Sequence, residues 1–295
     1  MDLLDPRKTL EGLRGHFPAA LLKKAVVVGS LAAALSFRAR LKTRGIITKD
    51  ADLLIQSTGG TAQARRLMES LLAKDWERST LPGKECFPMD RRTPADRCRA
   101  IRLLPPKSGE FYLEVLGLPT LDQSRPLVWK AVDARDGRYA VPCFRFMGLV
   151  GVGALAHESG FRHAAPPMMA LANLLSHPEL GVQRVKDESG KPRELRAAKD
   201  LGRALSLWFL SREEERKAWG DLWIRGLRGR FPRTWKALSP ASGLRALIAD
   251  RAALIEAHRL SARGLLDGFD IHPDQMKVLA EELLDGPVRA CASAR

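Results

Sequence analysis

Six residues, Asp50-Ala51-Asp52-Leu53-Leu54-Ile55, restrict the possible architectures of this chain more than any other segment. The apolar second half reads as a buried strand. In a strand, side chains at i and i+2 share a face, so Asp50 and Asp52 project together while Ala51 turns to the other side. Neighbouring carboxylates repel each other, and hard divalent cations bound by oxygen relieve that repulsion. Upstream, Ala25-Val26-Val27-Val28 is a β-branched run that stops at Gly29-Ser30. From Leu31 to Arg44, Leu31, Ala34, Leu35 and Leu41 fall on one side, with Arg38, Lys42 and Arg44 elsewhere. The order is therefore strand, glycine turn and helix. At such a junction glycine lets a phosphate approach the backbone, while the serine hydroxyl and the helix N-terminal amides bind its oxygens.

Gly59-Gly60 closes the acidic strand before a helix expected from Thr61 to Lys74. Two further runs, Cys98 to Leu104 and Glu110 to Leu118, flank Pro105-Pro106-Lys107-Ser108-Gly109 and read as an antiparallel hairpin. Glu114 sits inside the second run, where a lone charge is expensive unless it has a partner; Glu110 lies nearer the turn, where water suffices. A cation shared with Asp50 and Asp52 would be such a partner, and a strand-end salt bridge is the alternative. Nucleotidyl transfer uses two Mg²⁺ ions about 3.5–4 Å apart, one activating an acceptor hydroxyl and the other neutralising the triphosphate. Two or three carboxylates suffice for them.

Val28-Gly29-Ser30, followed after a helix by Thr48-Lys49-Asp50-Ala51-Asp52-Leu53-Leu54-Ile55, resembles the Gly-Ser…Asp-x-Asp signature of the polymerase-beta-like nucleotidyltransferase superfamily. The separation, 50 − 30 = 20 positions, is longer than in compact members and similar to the branch of AbiEii-like toxins and their bacterial relatives. Arg196-Ala197-Ala198-Lys199-Asp200-Leu201 resembles the Arg-x-x-Lys-Asp-like motif in the helical half of that branch, although the preceding segment lacks a clear basic cluster. The resemblance covers roughly residues 24–56, 98–118 and 190–210.

It implies an Mg²⁺-dependent enzyme with two ions and an NTP substrate. Asp50, Asp52 and Glu114 would be the metal ligands and catalytic carboxylates, with Lys199 and Asp200 assisting. Gly29, Ser30, Lys49 and Lys199 would bind the nucleotide. The implied acceptor is a hydroxyl, of RNA foremost and a tRNA 3′ end in particular. A protein acceptor, as in NMPylating toxins, is the second reading, and an antitoxin partner goes with the toxin-like branch. A non-catalytic nucleotide- or RNA-binding protein is the alternative outside enzymology. On a helical wheel Leu195, Ala198, Leu201, Leu205 and Phe209 form an apolar stripe with Lys199 on its border and Asp200 nearly opposite, so an ordinary surface helix also explains that pair.

The expected fold class is α+β: a small mixed sheet flanked by helices over residues 1–160, then an all-helical domain over 161–295. Helices are expected near 167–176, 192–211, 214–230, 241–264 and 273–284. A formal charge of +15 favours a polyanionic partner such as RNA or a nucleotide. Trp223 to Lys236 interleaves aromatics with cations, which suits either stacking on RNA bases or tryptophans packed inside with solvated arginines. Arg38, Arg40, Lys42, Arg44 and Lys49 could raise the field near a triphosphate or cover a solvated helix face. Four scattered cysteines suggest neither a zinc knuckle nor a disulfide framework and point to a reducing cytoplasm. No secretory signal is evident, and the longest apolar stretch, Ala25 to Phe37, falls short of the ~20 residues of a membrane span. His157-Glu158 and His163 lack the His-Glu-x-x-His spacing of a zinc site, Gly151-Val152-Gly153 comes too late for a dinucleotide fingerprint, and His258 reads as a core or boundary residue.

Overall fold

The chain is a mixed α/β protein built on a seven-stranded mixed sheet. The structure is a computed structural model, which describes residues 4–43, 46, 48, 50–57, 60–106, 111–180, 184–186 and 192–294. The first half contains helices α1 (Pro6–His16), α2 (Ala19–Leu22), α3 (Gly29–Phe37) and α4 (Gly60–Leu72). Its strands are β1 (Ala25–Val28), β2 (Asp50–Ile55), β3 (Glu77–Arg78), β4 (Arg102–Leu104), β5 (Tyr112–Gly117), β6 (Leu127–Asp133), β7 (Arg138–Phe144), β8 (Leu155–Ala156) and β9 (Arg162–His163). After them come α5 (Pro166–Leu180), the strands β10 (Arg184–Lys186) and β11 (Pro192–Leu195), α6 (Arg196–Leu210), α7 (Glu213–Lys217) and α8 (Trp219–Arg230). The chain ends in α9 (Ala241–Ala249), α10 (Arg251–Ala262), α11 (Pro273–Leu283) and α12 (Arg289–Ser293).

Strand order in the sheet is β3-β4-β5-β2-β1-β9-β8. The four residues of β1 are buried because the strand lies between β2 and β9 inside the sheet and packs against α3. It pairs antiparallel with β2 and parallel with β9, and β2 pairs parallel with β5. The β4–β5 hairpin forms where the proline-rich turn places it, in shorter strands than the apolar runs. The β8–β9 hairpin closes one side of the sheet and runs across the expected division at residue 160. β6 and β7 form a separate antiparallel ribbon that approaches β5.

The later elements depart from the expected helices at identifiable residues. Pro192–Leu195 pairs with Arg184–Lys186 as a ribbon, so the helix expected from 192 begins at Arg196 and the second half is not wholly helical. The expected 241–264 helix breaks at Asp250, which is extended at φ −114°, ψ 103° and accepts hydrogen bonds from the amides of Ala252 and Ala253. Its carboxylate caps a new helix instead of continuing the old one. The expected 214–230 helix divides at Ala218 into α7 and α8. Helix α6 packs against α5 and α10, and its approach to α10 depends on Gly202, where a Cβ would stand 2.7 Å from the carbonyl oxygen of Ala257. No helix among the described residues is long and apolar enough to cross a membrane.

Candidate active site

The parallel register of β2 and β5 sets Asp52 beside Glu114 and Asp50 beside Tyr112. On the other flank Asp52 faces Val28, and Glu114 faces Arg102 across the β4–β5 hairpin. Four adjacent strands thus present Val28, Asp52, Glu114 and Arg102 in one row. A cavity of about 300 Å³ lies over this row. Gly29, Asp50, Asp52, Glu114, Lys199 and Asp200, all expected site residues, line it. Lys84, Arg102, Asn173 and Arg203 also line it, and Phe144, Met147, Val150 and Met169 form an apolar wall.

Gly29 holds the glycine turn together with the acidic strand. Its φ of +71° is a conformation L side chains rarely adopt, and a Cβ there would stand 2.7 Å from Asp52 Oδ2. The glycine therefore makes room for a carboxylate, a closer neighbour than the phosphate expected from the sequence. Ser30, one residue on, accepts a hydrogen bond from Arg203 Nη2 at 3.0 Å. Arg203 stands one helical turn beyond Lys199, so both project from the same side of α6. Asp200 is buried despite lying opposite the apolar stripe of the wheel, because that face of α6 borders the cleft.

The two aspartates titrate in opposite directions. Burial pushes Asp52 well above the ordinary carboxylate range, and repulsion from Asp50 and Glu114 adds to it, only partly offset by Arg203 and Lys199. Burial also pushes Asp50 upward, but Lys199, a hydrogen bond from the Thr48 hydroxyl, Arg203 and Lys84 together outweigh it and hold Asp50 below that range. Tyr112, buried among the three carboxylates, is raised far above an ordinary phenol. One aspartate is thus held charged and its neighbour favours a proton, which is the electrostatic state of a carboxylate pair with too little positive charge between its members.

The pair fits a divalent cation. Among the described residues no donor hydrogen-bonds or ion-pairs with the Asp52 carboxylate, and the charge it lacks is what a cation would supply in place of a proton. Glu114 is committed differently: its Oε1 lies 2.8 Å from Arg102 Nη2, with both side chains largely buried. This is the salt bridge that was the alternative to metal ligation. Among the described residues no three His, Cys, Asp or Glu side chains form a ready-made metal cage. Mg²⁺ commonly uses one or two protein carboxylates and fills its octahedron with water and phosphate, so Asp50 and Asp52 are a sufficient protein contribution.

Lys49 lies outside the described residues. Arg40 bonds the carbonyl of Leu210 and pairs with Glu215, and Lys42 sits over the Phe269 ring, so these cations tie α3 and the residues after it to the later helices rather than lining the cavity. Trp219, Trp223, Phe231 and Trp235 are buried, and Trp223 Nε1 donates to the Pro167 carbonyl. Their rings are inside, which removes the base-stacking reading of that stretch. His163 is buried and its pKa is lowered to about 4 by burial, foremost, so it packs as a neutral ring beside Ser36. His258 Nε2 contacts the Ile271 carbonyl, a boundary role.

Three cationic members of the site carried no motif of their own. Arg203 was accessible to reasoning through its i+4 relation to Lys199, and Arg102 through the register of the hairpin opposite Glu114. Lys84 sits in an irregular segment for which no periodicity gives a direction. Comparison with protein-family models and with curated proteins finds no match to either.

Proposed function

We propose that this chain is an Mg²⁺-dependent nucleotidyltransferase that moves NMP from an NTP to a hydroxyl acceptor, with RNA, and a tRNA 3′ end in particular, as the acceptor class. The supporting observation is the meeting, in one cavity, of Gly29, the Asp50/Asp52 pair and Glu114 with Lys199, Asp200 and Arg203 from a helix more than 80 positions further along the chain. Non-catalytic binding of a phosphate compound has no use for three carboxylates that repel it. In this reading the sheet is a nucleotidyltransferase-like catalytic domain and the helices after residue 160 are a second, helical domain that supplies the cationic wall. Cys86, Cys98, Cys143 and Cys291 are all buried thiols, in keeping with a cytoplasmic protein.

Asp50 and Asp52 would hold the metal, which when bound neutralises triphosphate charge and lowers the pKa of the acceptor hydroxyl. Lys199, Arg203 and Lys84 face the position of the phosphates, and Arg203 links that position to the Ser30 hydroxyl. Arg102 engages Oε1 of Glu114 and leaves Oε2 to accept the proton of the attacking hydroxyl. The bond from the acceptor oxygen to the α-phosphorus forms as the bond to pyrophosphate breaks. Fixed charges arranged before the reaction are the main source of rate in such chemistry.

The test is incubation with each α-labelled NTP and Mg²⁺, in the presence of total RNA or of cell protein. Label in RNA that disappears with Asp52→Asn supports the reading. Label in protein moves the acceptor to a side-chain hydroxyl. No label in either, with NTP binding indifferent to Asp52→Asn, refutes the transferase.

A further inference from the structure

We infer that the segment between β3 and β4 is the docking surface for the single-stranded end of the RNA acceptor, with Phe87 as a base-stacking platform and Arg91, Arg92, Arg97 and Arg99 as its phosphate contacts. The inference rests on the RNA reading of the acceptor given above. Residues 84–102 carry six cations, Lys84, Arg91, Arg92, Arg97, Arg99 and Arg102, against three acids, Glu85, Asp90 and Asp96. The four central arginines are exposed. Phe87 is 41% exposed, and the Arg99 guanidinium lies 4.8 Å from its ring centroid.

A lone exposed apolar residue needs no explanation, but this one is held in place. Cys86 is buried and its amide bonds the Ser79 carbonyl; Met89 bridges to Arg138, and Ala100 to Ala140. The backbone is anchored on both sides of Phe87 while the ring faces water. A ring already backed by a guanidinium is a stacking surface for a base, since every base has a π-face and cations nearby meet its phosphates.

The position relative to the cleft is set by chain length. Lys84 and Arg102 both line the cavity. Phe87 is three residues from the first and Arg99 three from the second, so each lies within about 10 Å of a cleft residue even with fully extended chain. A strand whose 3′ hydroxyl entered the cleft would cross Lys84 and reach Phe87 within a few nucleotides. The buried tryptophans of α8 and the turn after it offer no competing platform.

Binding of a 5′-fluorescein-labelled single-stranded RNA of about ten nucleotides, followed by anisotropy without NTP, tests this. Phe87→Ala is expected to weaken binding about 5- to 100-fold with an unchanged salt slope, and Phe87→Trp to retain it. The double variant Arg97→Ala/Arg99→Ala should reduce the slope of log affinity against log salt by about 1.4, at roughly 0.7 per phosphate contact. NTP binding by Phe87→Ala, expected at the level of the unaltered protein, reports the fold. Wild-type affinity in Phe87→Ala, absence of RNA binding by the unaltered protein, or equal binding of duplex and single strand overturns the surface. RNA bound through Phe87 but never labelled by NTP leaves the surface standing and removes the transferase. RNA labelled equally well by Phe87→Ala, with unchanged binding, does the reverse.

Discussion

Replacing Gly29 with alanine separates two physical costs that meet at one atom. The first is local: an L-residue forced to φ +71° loses about 1–2 kcal/mol relative to glycine. The second comes from the contact, because the new Cβ would stand 2.7 Å from Asp52 Oδ2, and ordinary van der Waals contact begins at 3.4 Å. The carboxylate must therefore retreat by 3.4 − 2.7 = 0.7 Å, or the turn must move by the same amount. At about 2–4 °C per kcal/mol, the backbone cost alone lowers Tm by roughly 2–8 °C. Misplacing a catalytic group by 1 Å costs about 100-fold in rate, so a shift of this size is expected to cost on the order of 10- to 100-fold in the NMP transfer proposed above.

A double-mutant cycle with Asp52→Ala divides the two costs, since it removes Oδ2 and keeps the backbone unchanged. Urea unfolding of the four proteins should show Gly29→Ala less destabilising in the Asp52→Ala background, with the residual equal to the backbone cost. Equal destabilisation in both backgrounds would show that the glycine does not make room for the aspartate, and the coupling of turn to acidic strand would fall with it.

Asp52→Asn should stabilise the metal-free protein at neutral pH. A folded pKa raised above the unfolded value leaves stability intact below the unfolded pKa and removes it as pH rises through the folded one, so the gain should grow from acid to neutral pH in thermal melts. Added Mg²⁺ should raise the melting temperature of the unaltered protein and not of this variant. Arg102→Ala leaves Glu114 buried beside Asp52 without its ion pair and should cost about 3 kcal/mol in urea unfolding, whereas Arg102→Met with Glu114→Leu should recover most of it. His163, with a folded pKa near 4, supports stability above its unfolded pKa and loses it as pH falls from about 6.5 to 4, at up to about 1.4 kcal/mol per pH unit; His163→Leu should flatten that part of the profile.

The strands that position the site were legible because each has a one-dimensional cause. Val26 to Val28 is β-branched and flanked by a breaker, and the two-residue period fixes the common face of Asp50 and Asp52 whatever the neighbouring strands are. The hairpin carrying Glu114 follows from Pro105-Pro106 in the same way. Helix ends were less legible where a polar side chain decides between continuing and restarting. At Asp250 the helical pattern runs on in the sequence, but the carboxylate binds the amides of Ala252 and Ala253 and ends one helix to cap another. The Trp223–Lys236 stretch was undecided for a related reason: composition does not say whether Trp223 finds an internal acceptor, and it finds the Pro167 carbonyl 56 positions earlier.

The cationic half of the site is where one-dimensional reasoning stops. A carboxylate pair on a strand declares its own unmet charge, so Asp50 and Asp52 are conspicuous without their surroundings. Lys84, Arg102 and Arg203 are three among 49 basic residues, and only tertiary structure selects them. Their effects on the aspartates are nevertheless unequal, and that inequality carries chemical meaning. Lys199, Arg203 and Lys84 suffice, with Thr48, to keep Asp50 charged, yet they do not overcome burial and two like charges at Asp52. Arg102, the cation set in register with Glu114, is already spent on it. Four cations thus converge on three carboxylates without satisfying the central one. In the proposed reading, further lysine or arginine would fill the space that a triphosphate needs, whereas a compact divalent ion held by Asp50 and Asp52 would meet the deficit and leave the cationic wall free to face phosphate.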